Sequence, residues 1–204
     1  KAGIKNVCVH KGLFPPGIEK QYPNLRGFAD VADVGQAAKD WPQLNFVIYH
    51  SAYRHVGGDP RVALAEFERT GRIAWTSDLA DIPAQYGVNN VYGDVGQLFA
   101  TTLVAEPNVC AALMGTLIKG LGADHVVWGT DALWTGAPQW QIEGLRRLEI
   151  PEMMQKKFGY APLGPADGPV KTAIFGDNNA RLYNIQPKRA MLDLKRSEEH
   201  TSEL

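Results

Sequence analysis

A chain of 204 residues with 45% hydrophobic content is long enough for one domain with a sizeable core. A net charge of −1 argues against nucleic acid or an anionic membrane as a partner, since both select a basic surface. No apolar run approaches the roughly 20 residues that span a bilayer.

The first apolar run, about residues 4–10, reads as a strand ending on His10 and opening into a loop with Pro15, Pro16, Gly17 and Pro23. A helix is predicted near Asp33–Trp41, stopped by Pro42. A second strand, 45–50, ends on His50 and runs into the polar loop Ser51-Ala-Tyr-Arg-His-Val-Gly-Gly58. Asp59-Pro60 is a helix start, with Asp at the cap and Pro at the first helical position, and Gly71 is its stop. A shorter helix is predicted over Ser77–Tyr86, a third strand over 89–94 ending on Asp94, and a long helix over 107–121. The fourth strand, 125–130, leads to Asp131, followed by helices near Gln139–Leu148 and Pro151–Phe158. After a Pro/Gly linker, Pro162–Pro169, come helix-like stretches at 170–175 and 178–184.

The four strand-ending residues, His10, His50, Asp94 and Asp131, lie 40, 44 and 37 positions apart. Each gap holds helix-like sequence, so the pattern is strand, polar tip, helix, repeated four times. Parallel strands joined by helical crossovers put all their C-terminal ends on one side of the sheet. In a β/α barrel that side carries the active site. Histidines and aspartates gathered there suit a metal-dependent enzyme. Both faces of the second and fourth strands are apolar, as in strands covered on both sides. Parity groups His50 with Ile48 and Phe46, opposite Tyr49 and Val47, and groups Asp131 with Gly129 and Val127. The functional reading needs the strand-end residues to face inward.

Cys8 and Cys110 sit among apolar neighbours and read as small buried residues rather than a disulfide. The chain starts at Lys1 without a methionine, and Arg196–Leu204 reads like a translated sequencing adapter. Residues 196–204 are therefore set aside as disordered, His200 with them, and 187–195 are read as an extension of a domain at 1–186. The expectation is a piece of a longer protein. No pattern assigns a compartment; the cytoplasm is the default.

The motifs Val-His10-Lys-Gly, Tyr-His50-Ser-Ala, Tyr-Gly-Asp94, Trp-Gly-Thr-Asp131 and Phe-Gly-Asp-Asn178-Asn-Ala-Arg-Leu182 resemble, in this order, the C-terminal half of the amidohydrolase-related family. That family belongs to the metal-dependent amidohydrolase superfamily of β/α barrels. The resemblance covers about residues 4–185, and its most specific pieces are Gly129-Thr130-Asp131 and the closing Asn178-x-Ala180-Arg181-Leu182. It implies an α/β fold, the last four βα units (strands five to eight) of a TIM-type (β/α)8 barrel. It places a metal-binding histidine at His10, an acid/base or substrate-polarising histidine at His50, and an aspartate that binds the metal, its water, or both at Asp131. Where the family often has glycine two residues after the strand-six histidine, this chain has Ala52.

The implied cofactor is a divalent cation, Zn²⁺ first, with Mn²⁺ or Fe²⁺ served by the same imidazole and carboxylate donors. Such an ion can lower the pKa of bound water from 15.7 to about 7. Arg54 is a candidate for holding a substrate carboxylate through a bidentate pair, against the plainer reading as a surface arginine. Tyr53 and Lys11 are candidate substrate contacts for their places beside His50 and His10. Asp94 is read as a turn-forming aspartate, Trp134 and Trp140 as core, and His125 as lying at the opposite, stability end of its strand.

Three functions follow, the first two with a small-molecule substrate as partner. The first is hydrolysis of an amide, ester or lactone by metal-activated water. The second, also performed in the family, is non-oxidative decarboxylation of an unsaturated or aromatic carboxylic acid. The third is that four strands made alone are inactive, since they leave two open edges unless two copies associate into one eight-stranded barrel.

Overall fold

The computed structural model describes residues 3–55 and 58–186. The extension, the adapter-like tail and His200 lie outside the described residues.

Strand β1 (Asn6–His10) is followed by helices α1 (Pro16–Gln21), α2 (Arg26–Ala29) and α3 (Val34–Asp40). Strand β2 (Asn45–Tyr49) leads through a 3₁₀ turn at His50–Ala52 to α4 (Pro60–Thr70) and α5 (Thr76–Tyr86). Strand β3 (Val91–Asp94) precedes α6 (Gly96–Ala105) and α7 (Pro107–Leu121). Strand β4 (Val126–Val127) precedes α8 (Pro138–Arg147), α9 (Glu152–Phe158) and α10 (Pro169–Thr172). A π-helical turn at Ala173–Asp177 then joins α10 to α11 (Asn178–Leu182).

The strands form one sheet in the order β1-β2-β3-β4, with every pair parallel. This is an α/β fold, with the four parallel strands and intervening helices expected of part of a β/α barrel. Register is continuous across the sheet: Cys8 opposes Val47, Val47 opposes Tyr92, and Asp94 opposes Val127. Phe46, Ile48, Val91 and Val126 face the helical layer, where Leu113, Leu117 and Leu79 join them in one buried core. The other face carries a small cluster of Val47, Tyr92 and Val127 closed by Leu182 from α11. Asn178 secures that closure by donating to the carbonyls of Ala123 and Val126 at 2.8 and 2.7 Å.

Local chemistry accounts for most boundaries. The Asp59 carboxylate accepts from Arg61 N–H at 3.0 Å, Pro60 opens α4, and Gly71 ends it at φ 72°. The fourth strand is shorter than the sequence pattern predicts: a 3₁₀ turn takes His125 at its start, and pairing with β3 stops at Val127, so residues 128–130 leave the ladder. Three helices lie where no helix was expected. Of these α6 matters most: Thr101, Thr102 and Val104 are weak helix formers, and burial of Leu98, Phe99 and Ala100 decides its conformation instead.

Two burial expectations are corrected. Cys8 is exposed, because parity puts it on the sheet face that the helices do not cover, while Cys110 is buried on α7. Trp134 is 89% exposed in the loop after β4, not part of the core, and Trp140 is only partly buried. Among the described residues no helix is long and apolar enough to cross a membrane.

Candidate functional site

The C-terminal ends of the strands open on a cavity of about 410 Å³ lined by His10, Tyr49, Asp94, Trp128, Asp131 and Tyr183, among others. His10 is exposed at its edge and meets Tyr49 edge-on, with ring centroids 5.0 Å apart. The Tyr49 phenol is pushed up to about 12, chiefly by its hydrogen bond with Cys8 and then by burial.

Strand parity alone would turn His50 away from this cavity, since Ile48 faces the helices. The chain instead leaves the strand after Tyr49 through three consecutive left-handed residues, His50, Ser51 and Ala52, at φ 55°, 44° and 55°. Such a run is costly for residues with a Cβ and marks a place where the fold imposes the backbone. It swings the His50 ring to 5.1 Å from that of His10, centroid to centroid, with Nε2 3.9 Å from Asp131 Oδ2. His50 sits behind the cavity wall at 4% exposure. Burial lowers its pKa, an effect that His10 reinforces and Asp131 opposes, so the ring is neutral at pH 7. The backbone N–H of Gln97 donates to Nδ1 at 3.3 Å. In a neutral ring the proton then resides on Nε2, the nitrogen turned toward Asp131.

Asp94, read from sequence as a turn residue, is a member of this site. Its Oδ1 accepts from the N–H groups of Gly96 and His50 at 3.1 and 3.4 Å. Its carboxyl is pushed up to about 6, mainly by burial, with neighbouring Asp131 adding to the rise against those two hydrogen bonds. Between about 3.8 and 6 the folded state therefore binds more protons than the unfolded state, and stability falls as pH rises through that window. The full cost, up to about 3 kcal/mol, applies above pH 6. Asp94→Asn is expected to raise the Tm of the metal-free protein at pH 7.5 and to leave it little changed near pH 4. Thermal unfolding between pH 4 and 8 checks this; an equal effect at both ends would contradict it.

Two glycines let these groups converge. A Cβ on Gly129 would lie 2.3 Å from Asp94 Oδ2. On Gly96 it would meet Asp94 Oδ1 at 2.8 Å, His50 Nδ1 at 3.1 Å and Asp131 Oδ1 at 3.3 Å. Gly96→Ala is therefore expected to displace the polar groups and lower kcat/KM by up to about 10²-fold. Steady-state kinetics beside an unchanged circular dichroism spectrum would show it; wild-type kcat/KM would contradict it.

The structure gives the three candidate substrate contacts other partners, and none of them lines the cavity. Lys11 is buried, and its Nζ donates to Asp33 and to the Phe28 carbonyl, at 2.9 and 3.0 Å, tying the loop after β1 to the segment before α3. Tyr53 lies in the helix-side core, its phenol raised by burial. Arg54 pairs with Glu19, donates to the Phe14 carbonyl at 3.1 Å and lies over the Trp75 ring at 5.3 Å. In this structure these side chains anchor loops and fill the core. His125 bonds the Asn89 carbonyl at 2.8 Å from the turn preceding β4, away from the cavity.

Among the described residues no three His, Cys, Asp or Glu side chains form a group able to hold a metal ion. The donor types at the cavity nonetheless fit part of a divalent cation's shell. His10 offers an imidazole and Asp131 a carboxylate on the same cavity wall. His50 has Nδ1 already bonded and its proton on Nε2, so it is less suited to ligation.

The chain belongs to the amidohydrolase family, whose model matches residues 7–185. The superfamily is metal-dependent. Comparison with curated proteins gave no match. Among solved structures the chain is similar to the 5-carboxyvanillate decarboxylase of Sphingomonas paucimobilis, at 16% identity and a TM-score of 0.46 over 88% of this chain and 49% of that one. It is also similar to a protein of Pseudomonas putida assigned as a 2-pyrone-4,6-dicarboxylic acid hydrolase, at 15% identity, TM-score 0.47, and 78% and 50% coverage. A third is a dihydroxybenzoic acid decarboxylase of Polaromonas with bound manganese, at 14% identity, TM-score 0.38, and 83% and 47% coverage. The chain spans about half the length of these structures.

Proposed function

We propose that this chain contributes the His10, His50 and Asp131 side of a metal-dependent hydrolase site, acting on an amide, ester or lactone in the whole protein. The observation that carries the reading is the facing pair: His50, with Nδ1 accepting from Gln97 N–H, sets Nε2 3.9 Å from Asp131 Oδ2 beyond the strand ends. His10 and Asp131 would hold the cation, with Zn²⁺ proposed first and Mn²⁺ or Fe²⁺ served by the same donors. When bound, it supplies Lewis acidity, easing ionisation of a water at neutral pH. Asp131 accepts the proton that water gives up as it attacks the carbonyl carbon. His50 Nε2–H donates to the carbonyl oxygen, where negative charge develops.

A second reading is non-oxidative decarboxylation of an unsaturated or aromatic carboxylic acid. The specific observation favouring it is Asp94, a carboxyl near pKa 6 beside His50. Hydrolysis by Asp131 and His50 has no need of a further proton carrier, whereas loss of CO₂ leaves a carbanionic carbon that must be protonated. The experiment is to assay metal-loaded full-length protein on both substrate classes, following carbonyl hydrolysis and CO₂ release. Hydrolysis supports the first reading and CO₂ release the second. A loaded protein inactive on both classes would contradict both.

A further inference from the structure

Helix α8 places a fully buried glutamine, Gln141, against the loop that carries Asp131. Its Nε2 donates to the Thr130 carbonyl at 3.1 Å and to Thr135 Oγ1 at 2.9 Å. Thr135 Oγ1 lies 2.7 Å from the Thr130 carbonyl and 3.0 Å from that of Asp131. A hydroxyl has one proton, and with Gln141 donating into its oxygen, Thr135 directs that proton to the nearer acceptor, Thr130. The Thr130 carbonyl thus receives two hydrogen bonds, one for each lone pair. That carbonyl belongs to the peptide immediately before Asp131, which sits at φ 50°, a left-handed conformation disfavoured for a residue with a Cβ. Clamping the preceding peptide fixes the plane from which the Asp131 side chain departs.

Stability alone does not account for a glutamine here. Its Oε1 is buried with no hydrogen-bond partner among the described residues, a net cost that a leucine of similar volume would not incur. We propose that Gln141 and Thr135 are positioning residues that hold Asp131 in its working orientation. This rests on the reading of Asp131 as a cation ligand.

The test is Zn²⁺ affinity, measured by chelator competition on metal-free full-length protein, beside the Tm of the same metal-free samples. Gln141→Leu and Thr135→Val are expected to weaken Zn²⁺ binding by about 10- to 100-fold. Thr135→Ser, which keeps the hydroxyl, is expected to bind close to wild type. The metal-free Tm of Gln141→Leu should equal or exceed that of wild type, which a general loss of structure would not give. Should Gln141→Leu fail to fold, the Thr135→Val and Thr135→Ser pair decides the matter. Wild-type affinity in Thr135→Val, or equal weakening in both Thr135 variants, would overturn the positioning role. Asp131→Asn separates the two claims. If it alone weakens binding, Asp131 stands as ligand and the positioning role falls; if it binds as wild type does, both fall.

Discussion

Asp131→Asn in the full-length protein is expected to lower kcat by about 10³-fold or more, within the range found when a positioned acid/base group is lost. Asparagine is nearly isosteric with aspartate and tolerates the left-handed backbone at this position, φ 50°, so the loop should keep its shape. What disappears is the negative charge, and with it both the proton acceptor and the stronger cation donor. Kinetics and thermal unfolding on the same samples separate chemistry from folding. A variant with wild-type kcat would remove Asp131 from the reaction.

His50→Asn is the second large effect: kcat should fall by roughly 10²-fold or more while metal content stays at the wild-type level. The reason is the tautomer, since Gln97 N–H occupies Nδ1 and leaves Nε2 protonated, a hydrogen-bond donor without a lone pair for a cation. Asparagine again suits the backbone, here at φ 55°. Kinetics paired with metal analysis tests the division of labour. Loss of metal on substitution would reassign His50 as a ligand.

The four-strand frame was legible because four apolar runs recur at nearly regular spacing, and each holds a strand of the folded sheet, although β2 stops at Tyr49 and β4 at Val127, short of the polar residues that follow them. The site was legible only in part. His10 and Asp131 follow from strand ends, but the orientation of His50 does not, because a left-handed turn overrides strand parity. Asp94 looked like any aspartate after a strand; its role emerges from Gly96 and Gly129, whose missing side chains make room for its carboxyl. Two small residues, one on each side of a carboxylate in space but far apart in sequence, leave no local signal. Helix α6 was hidden for a related reason. Its β-branched residues argue against helix, and only its tertiary contacts show that its first turn delivers the Gln97 N–H to His50. Lys11, Tyr53 and Arg54 illustrate the converse: adjacency to a strand end places a residue near the rim without aiming its side chain into the cavity.

Metal analysis of the purified full-length protein, set beside its His10→Ala and Asp131→Ala variants, tests the central claim most directly. A divalent cation bound at close to one equivalent in the wild type and markedly depleted in both variants, with activity lost in parallel, is the predicted result. Unchanged occupancy and unchanged activity in both variants would contradict it.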